Sequence, residues 1–350
     1  MFNPTNYGLD PDFRCKVPQD VLTKYLEDSK ALDSIGVGMD SAVIPLSRSK
    51  GLSLVQTVDF FYPLIDDPKI MGKIALANVV SDMYSVGVAN IDKLSLILSA
   101  PTEFSEAQRD IVVPMLIEGF KEGAAEAGCK VGVKNIAVNP WCMIGGIATS
   151  VCSKEEIIMP CNAVPGDLVI LTKPLGTQLA TNLFIWMQEN NEKFQKICEA
   201  SFTKEDIEYS FRMAIKSMSH LNKTGAELMH KYGAHAATDV TGFGLLGHAQ
   251  NLAQFQTEKV DIVIEKLPII KNIREFGKIL GLDKKLTAGK AVETSGGLLI
   301  CLPAENAKNF CDDYTKMDKG FKAVVVGRVV EGSGDSRLSD DVEFVSISLL

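Results

Sequence analysis

The chain has 350 residues, a formal net charge of −8 and 46% hydrophobic residues. That length exceeds what one hydrophobic core usually spans, so two domains are expected. The acidic balance, with no Lys/Arg run longer than two, argues against nucleic acid and anionic membrane surfaces, since a polyanion needs a basic face.

The first ten residues have neither a basic region nor an apolar core, so no signal peptide is expected. The uncharged stretch 139–153 contains Asn, Pro and a Gly pair and does not read as a membrane span. None of the eight cysteines has Cys-x-x-Cys spacing, so neither a structural zinc nor a disulfide framework is expected. These features point to a soluble, cytoplasmic protein.

Along the chain, residues 1–16 read as a flexible N-terminal arm, and a helix is predicted to start after Pro18. Residues 37–46 and 52–58 have strand character, with a turn between them at 47–51. A helical pattern covers 68–86, and 94–99 is a short apolar strand. Ser105 and Gln108 have capping-box spacing and Gly128 is a stop signal, which predicts a long helix between them. A strand at 142–151 closes the first unit, and a boundary is expected near 155–166. In the second unit, strands are predicted at 168–172, 260–264, 297–302 and 323–330, and helices at 178–188, 270–280 and 306–316. One long helical region is expected over 204–232, ended by Gly233. The result is α+β, with an N-terminal domain at 17–155 and a C-terminal domain at 156–350.

Four aspartates stand beside apolar stretches: Asp40, Asp59, Asp82 and Asp239. Carboxylates in such settings are costly unless paired or metal-bound. Four of them suggest a site that holds negative charge through cations, such as a nucleotide triphosphate; no Walker A loop is present to do that job with backbone amides. Asn78 and Asp82 are four apart and share one helix face. Asp59 is expected at a strand end, beside Phe60, Phe61 and Tyr62. Gly36 and Gly38 before Met39 and Asp40 allow close backbone approach to a ligand, or form a bulge.

Gly242, Gly244 and Gly247 match G-x-G-x-x-G, but without a clean preceding Val/Ile strand the dinucleotide reading is set aside. A Gly-rich helix start can still bind an anion. The histidines show no metal spacing, and His235 and His248 read as core or cap residues. Thr294-Ser295-Gly296-Gly297 reads as a tight turn into a core strand.

Taken together, Cys15-Lys16-Val17-Pro18-Gln19, Gly38-Met39-Asp40, Asp66-Asp67-Pro68, Asn139-Pro140-Trp141, the segment 171–178, the segment 235–253 and the segment 293–303 resemble the eukaryotic selenophosphate synthetases. These belong to the aminoimidazole-ribonucleotide-synthetase-like superfamily. The match at 238–253 favours this family over ring-forming synthetases or thiamine-phosphate kinases of the same superfamily. The resemblance implies a reaction of ATP, selenide and water that gives selenophosphate, AMP and phosphate, for selenocysteine biosynthesis. It implies a homodimer whose N-terminal sheets form a shared β-barrel, above a C-terminal α+β sandwich. It implies Mg²⁺ on Asp40, Asp82 and Asp239, with a monovalent cation, K⁺, as a further candidate. Gly38, Met39, Asp40, Asp59, Asn78 and Asp82 would line the nucleotide site. Lys16 would be the mobile catalytic lysine, with Cys15 as a candidate for handling selenium.

Two differences from the family pattern leave a second reading open, a non-catalytic or regulatory paralogue. Asp12-Phe13-Arg14 runs directly into Cys15-Lys16, with Phe13 where the family's redox-active Sec or Cys belongs. Val133-Lys134-Asn135-Ile136 stands where a glycine-containing nucleotide loop is expected.

Overall fold

The computed structural model describes residues 39–133 and 135–348. The arm 1–16 with Cys15 and Lys16, the helix expected after Pro18, and Gly36 and Gly38 lie outside the described residues, as does Lys134. The first half contains β1 (Ala42–Pro45), β2 (Leu52–Phe61), α1 (Pro68–Ser85), β3 (Lys93–Pro101), α2 (Glu106–Ala127), β4 (Val131–Gly132), β5 (Ala137–Asn139) and β6 (Met143–Ser153). The second begins with β7 (Leu168–Leu171), α3 (Thr177–Gln188), α4 (Glu192–Glu199), α5 (Lys204–Ser219), α6 (Lys223–Tyr232), β8 (Ala236–Asp239) and α7 (Gly244–Gln254). It continues with β9 (Val260–Ile270), α8 (Ile273–Leu280), α9 (Asp283–Thr287), β10 (Leu298–Leu302), α10 (Ala304–Met317), β11 (Val324–Glu331) and β12 (Ser336–Ile347). The α+β class expected from the sequence is what the structure shows.

Each half is built on one sheet. The first runs β1-β2-β6-β3-β4, with β5 also paired to β3. The second runs β12-β9-β11-β7-β10-β8. Within it β10, flanked by β7 and β8, is buried at every position, which is why Leu298–Leu302 is a continuous apolar run rather than an alternating one.

Helix α1 lies at the heart of the molecule. Thirteen of its eighteen residues are buried, so its Ile, Ala, Val and Met side chains are spread around the whole helix instead of along one stripe. It packs against α2, β2 and β6 of the first half and α5, α6 and β8 of the second. Asp67 caps it by accepting from the Ile70 backbone N–H at 2.9 Å, with Pro68 in the first turn. Helix α2 has the expected ends: a capping box between Ser105 and Gln108, and Gly128 in the left-handed region at φ 81°.

Several expectations are corrected. The strand foreseen at 37–46 is regular only over Ala42–Pro45 among the described residues. The 204–232 region is two helices, broken at 220–222. There His220 O accepts from Lys173, and the Asn222 amide donates to Ser81 Oγ and Gly296 O, bonds that only tertiary neighbours supply. Strand β9 runs on to Ile270, and α4, α9, β4, β5 and β12 carry no signal strong enough to be foreseen. A four-residue strand, β8, does precede the Gly-rich run, but it pairs antiparallel with β10, unlike the parallel βαβ unit of a dinucleotide site.

Candidate functional site

Helix α1 and strand β2 build one wall of the site. Side chains on a strand repeat every two residues, about 6.6 Å, and on a helix every four, about 6 Å. The match lets two consecutive β2 positions meet two consecutive turns of α1. Thr57 Oγ1 donates to Asp82 Oδ2 at 2.5 Å, and Asn78 Nδ2 donates to Asp59 Oδ2 at 2.5 Å. Asp59 therefore does not end its strand, as the sequence suggested. It lies two residues inside β2, where the pleat aims it at α1, and its Oδ1 also accepts from the Phe60 N–H at 3.0 Å.

The opposite wall comes from the second half. Asp239 is the last residue of β8 and is buried, as is Thr238, whose Oγ1 donates to Asp40 Oδ1 at 3.2 Å. Helix α7 contributes His248, buried, with Nε2 3.1 Å from Thr241 Oγ1 and its ring 5.4 Å from that of Phe243.

Between the walls is a cleft of about 490 Å³ lined by Met39, Asp40, Asp59, Asp82, Asp239 and His248, among others. All four aspartates of the sequence reading line it, although they lie up to two hundred positions apart in the chain. Asn78 does not line it. It faces a cavity of about 30 Å³ directly behind, with Glu293 and Thr294, and its amide is engaged by Asp59 on one side and by the Ser295 N–H on the other.

One group of side chains comes close enough together that it could hold a metal ion. Ligand atoms of Asp40, Asp239 and His248 lie within 4.8 Å of one another. Asp82 lines the same cleft outside this trio. His248 was missed because metal spacing in sequence presupposes neighbouring ligands, whereas here 40, 239 and 248 arrive on separate elements. The only local signal was its place directly after Gly247, the end of the Gly-rich run. The carboxylate oxygens suit Mg²⁺, which prefers hard oxygen donors shared with phosphates. Among the described residues lining the cleft there is no Lys or Arg. A polyphosphate can approach this acidic surface only with cations to neutralise it.

Glu293, buried behind the cleft, binds the start of α3. It accepts from the backbone N–H of Gly176 at 2.6 Å and of Thr177 at 3.0 Å, and from the Thr177 hydroxyl. Burial pushes its carboxyl up to about 7 against the pull of those donors.

Residues 38–150 match the family described as AIR synthase related protein, N-terminal domain, and residues 164–339 match its C-terminal domain counterpart. The chain is 49% identical to Selenide, water dikinase 2 of Drosophila melanogaster, covering the whole of both chains. It is 44% identical to Probable selenide, water dikinase of Caenorhabditis elegans, over 97% of this chain and 93% of that one. Among solved structures, AaThiL complexed with AMPPCP and TMP superposes with a TM-score of 0.67 at 20% identity, covering 93% of this chain and 94% of that one. Hydrogenase maturation protein HypE in complex with ATP superposes with a TM-score of 0.61 at 16% identity, over 89% and 90%. At those identities the structural likeness establishes the fold. No described helix is long and apolar enough to cross a membrane.

Proposed function

The chain belongs to the selenide, water dikinase family, and from that premise we propose that it makes selenophosphate from selenide and water at the expense of ATP, releasing AMP and phosphate. The observation that carries this reading is the convergence of four carboxylates from both halves of the molecule on one cleft with no described Lys or Arg in its lining. Such a surface is built for a cation-bridged polyphosphate. The full-length similarity to proteins named as selenide, water dikinases favours synthesis over the non-catalytic paralogue suggested by residues 12–16 and 133–136.

Asp40, Asp82 and Asp239 would hold Mg²⁺, and Asp59, kept in place by Asn78, would face the nucleotide with Gly38 and Met39. Bound Mg²⁺ would neutralise charge on the phosphates, the main demand of phosphoryl transfer. A K⁺ ion is a further candidate for the same acidic surface. Lys16 would close over the terminal phosphate as a point charge, and Cys15 would meet selenium. Domain limits of 17–155 and 156–350 fit the two sheets, with the arm 1–16 supplying the lysine.

A homodimer through the first sheet fits the apolar side chains that β2 and the residue after it leave in solvent, Val58 at 53%, Phe60 at 49% and Tyr62 at 55% exposure. A cytoplasmic location fits the free cysteines. Incubating the purified protein with ATP, Mg²⁺ and selenide tests the reading: a selenophosphate phosphorus resonance and AMP are expected together. ATP turnover that ignores selenide would refute it.

A further inference from the structure

Behind the cleft runs a buried polar chain that phosphate binding does not account for. Its origin is Lys173, in the loop after β7 and only 2% exposed. An ammonium group so deeply buried is costly unless it is hydrogen-bonded and its charge balanced. Lys173 Nζ donates to His220 O at 2.6 Å and to Ser295 O at 2.9 Å. Burial draws its pKa down to about 7, and the charges of Asp318 and Asp239 oppose the shift. Asp318 is itself held by His220 Nε2 at 2.7 Å and by the N–H groups of Gly320 and Phe321.

The carbonyl that Lys173 holds belongs to a residue in an unusual conformation. Ser295 has φ +46°, which L-residues seldom adopt without something to hold them there. With its C=O on Lys173, its N–H donates to Asn78 Oδ1 at 3.3 Å. That bond decides which end of the Asn78 amide faces forward, since the oxygen is taken and the Nδ2 donor is left for Asp59 Oδ2. The same loop grips the other wall. Val240, next to Asp239, donates its N–H to Gly297 O at 2.9 Å. A Cβ on Gly296 would sit 2.1 Å from Val240 O, so the two backbones meet with no room for a side chain. Asn222 fixes Gly296 O at 2.8 Å.

We infer that Lys173 is a positioning residue for nucleotide binding: by holding the 294–297 loop it orients Asn78 and hence Asp59 on one wall, and steadies the Asp239 strand end on the other. The inference rests on the reading that this cleft takes Mg²⁺·ATP, and it does not depend on the selenium chemistry.

The test measures Mg²⁺·ATP affinity by calorimetry, without selenide, for wild type, Lys173→Met, Asn78→Ala and the double variant, alongside KM and kcat for ATP. Lys173→Met is expected to weaken ATP binding about tenfold, roughly 1.4 kcal/mol, and to raise KM more than it lowers kcat. The double variant is expected to lose less affinity than the two single losses multiplied together, because part of the lysine's effect passes through the amide. A folded Lys173→Met protein that binds ATP like wild type overturns the inference, as do two losses that multiply independently. Should Lys173→Met not fold, Lys173→Gln, which is shorter and can keep at most one of the two carbonyl bonds, is tested in its place: a smaller loss of about threefold is expected, and wild-type affinity overturns the inference. Wild type that binds ATP but makes no selenophosphate would remove the proposed activity and leave this inference standing.

Discussion

Removing one charge from the cleft is expected to stabilise the protein and disable it together. Ligand atoms of Asp40 and Asp239 lie within 4.8 Å of each other. Unit charges at that separation repel by about 1 kcal/mol at the dielectric of water and about 3 kcal/mol at the effective value for partly buried pairs. Asp40 is half-buried, which places the pair between those limits. Asp40→Asn is nearly isosteric and keeps an Oδ1 to accept from Thr238. Without metal, its Tm is therefore expected to rise by about 1–4 °C over wild type. Adding Mg²⁺ with ATP should raise the wild-type Tm by mass action and leave the variant's nearly unchanged. Thermal unfolding by circular dichroism, with and without Mg²⁺·ATP, reads both effects. A metal-free Tm below wild type combined with a full Mg²⁺ response would refute the view that these carboxylates are held together for a cation.

Two further perturbations test the frame around the site. Glu293 has its carboxyl raised from 4.5 to about 7 by burial, so the fold favours the protonated form. Its stabilising contribution is full below pH 4.5 and disappears as pH climbs through about 7, an effect on the order of 3 kcal/mol. Glu293→Gln should flatten the difference in urea stability between pH 5 and pH 8; a difference equal to that of wild type would contradict the assignment. Gly119 is where α2 touches α1, and a Cβ there would lie 1.8 Å from Lys69 O. Gly119→Ala is expected to cost about 3 kcal/mol through forced separation of the two helices, and an unchanged Tm would show that the contact yields more easily than the geometry implies.

Much of the local structure was legible because its causes are local. The capping box at Ser105 and Gln108 and the stop at Gly128 act within one or two turns, so helix α2 could be placed nearly to the residue. The same holds for α1, whose start is marked by Asp67 and Pro68. The break at 220–222 was not legible, because what replaces the helical bonds there comes from Lys173, Ser81 and Gly296, far away in the chain. Strand β12 was hidden for a related reason. It is an edge strand with mixed charged and apolar positions, recruited by parallel pairing to β9.

From residue types alone the chain could be read as a two-part α+β protein with four aspartates poised for cations, because burial cost makes an acidic residue in an apolar run conspicuous wherever it stands. The order of those aspartates on the walls, the placing of His248 beside Asp40 and Asp239, and the support of Asn78 by the Ser295 loop were decided only by the fold. Local spacing fixes which face of a helix or strand a side chain occupies. Which faces meet is set by packing α1 between the two sheets, and that depends on the whole core at once.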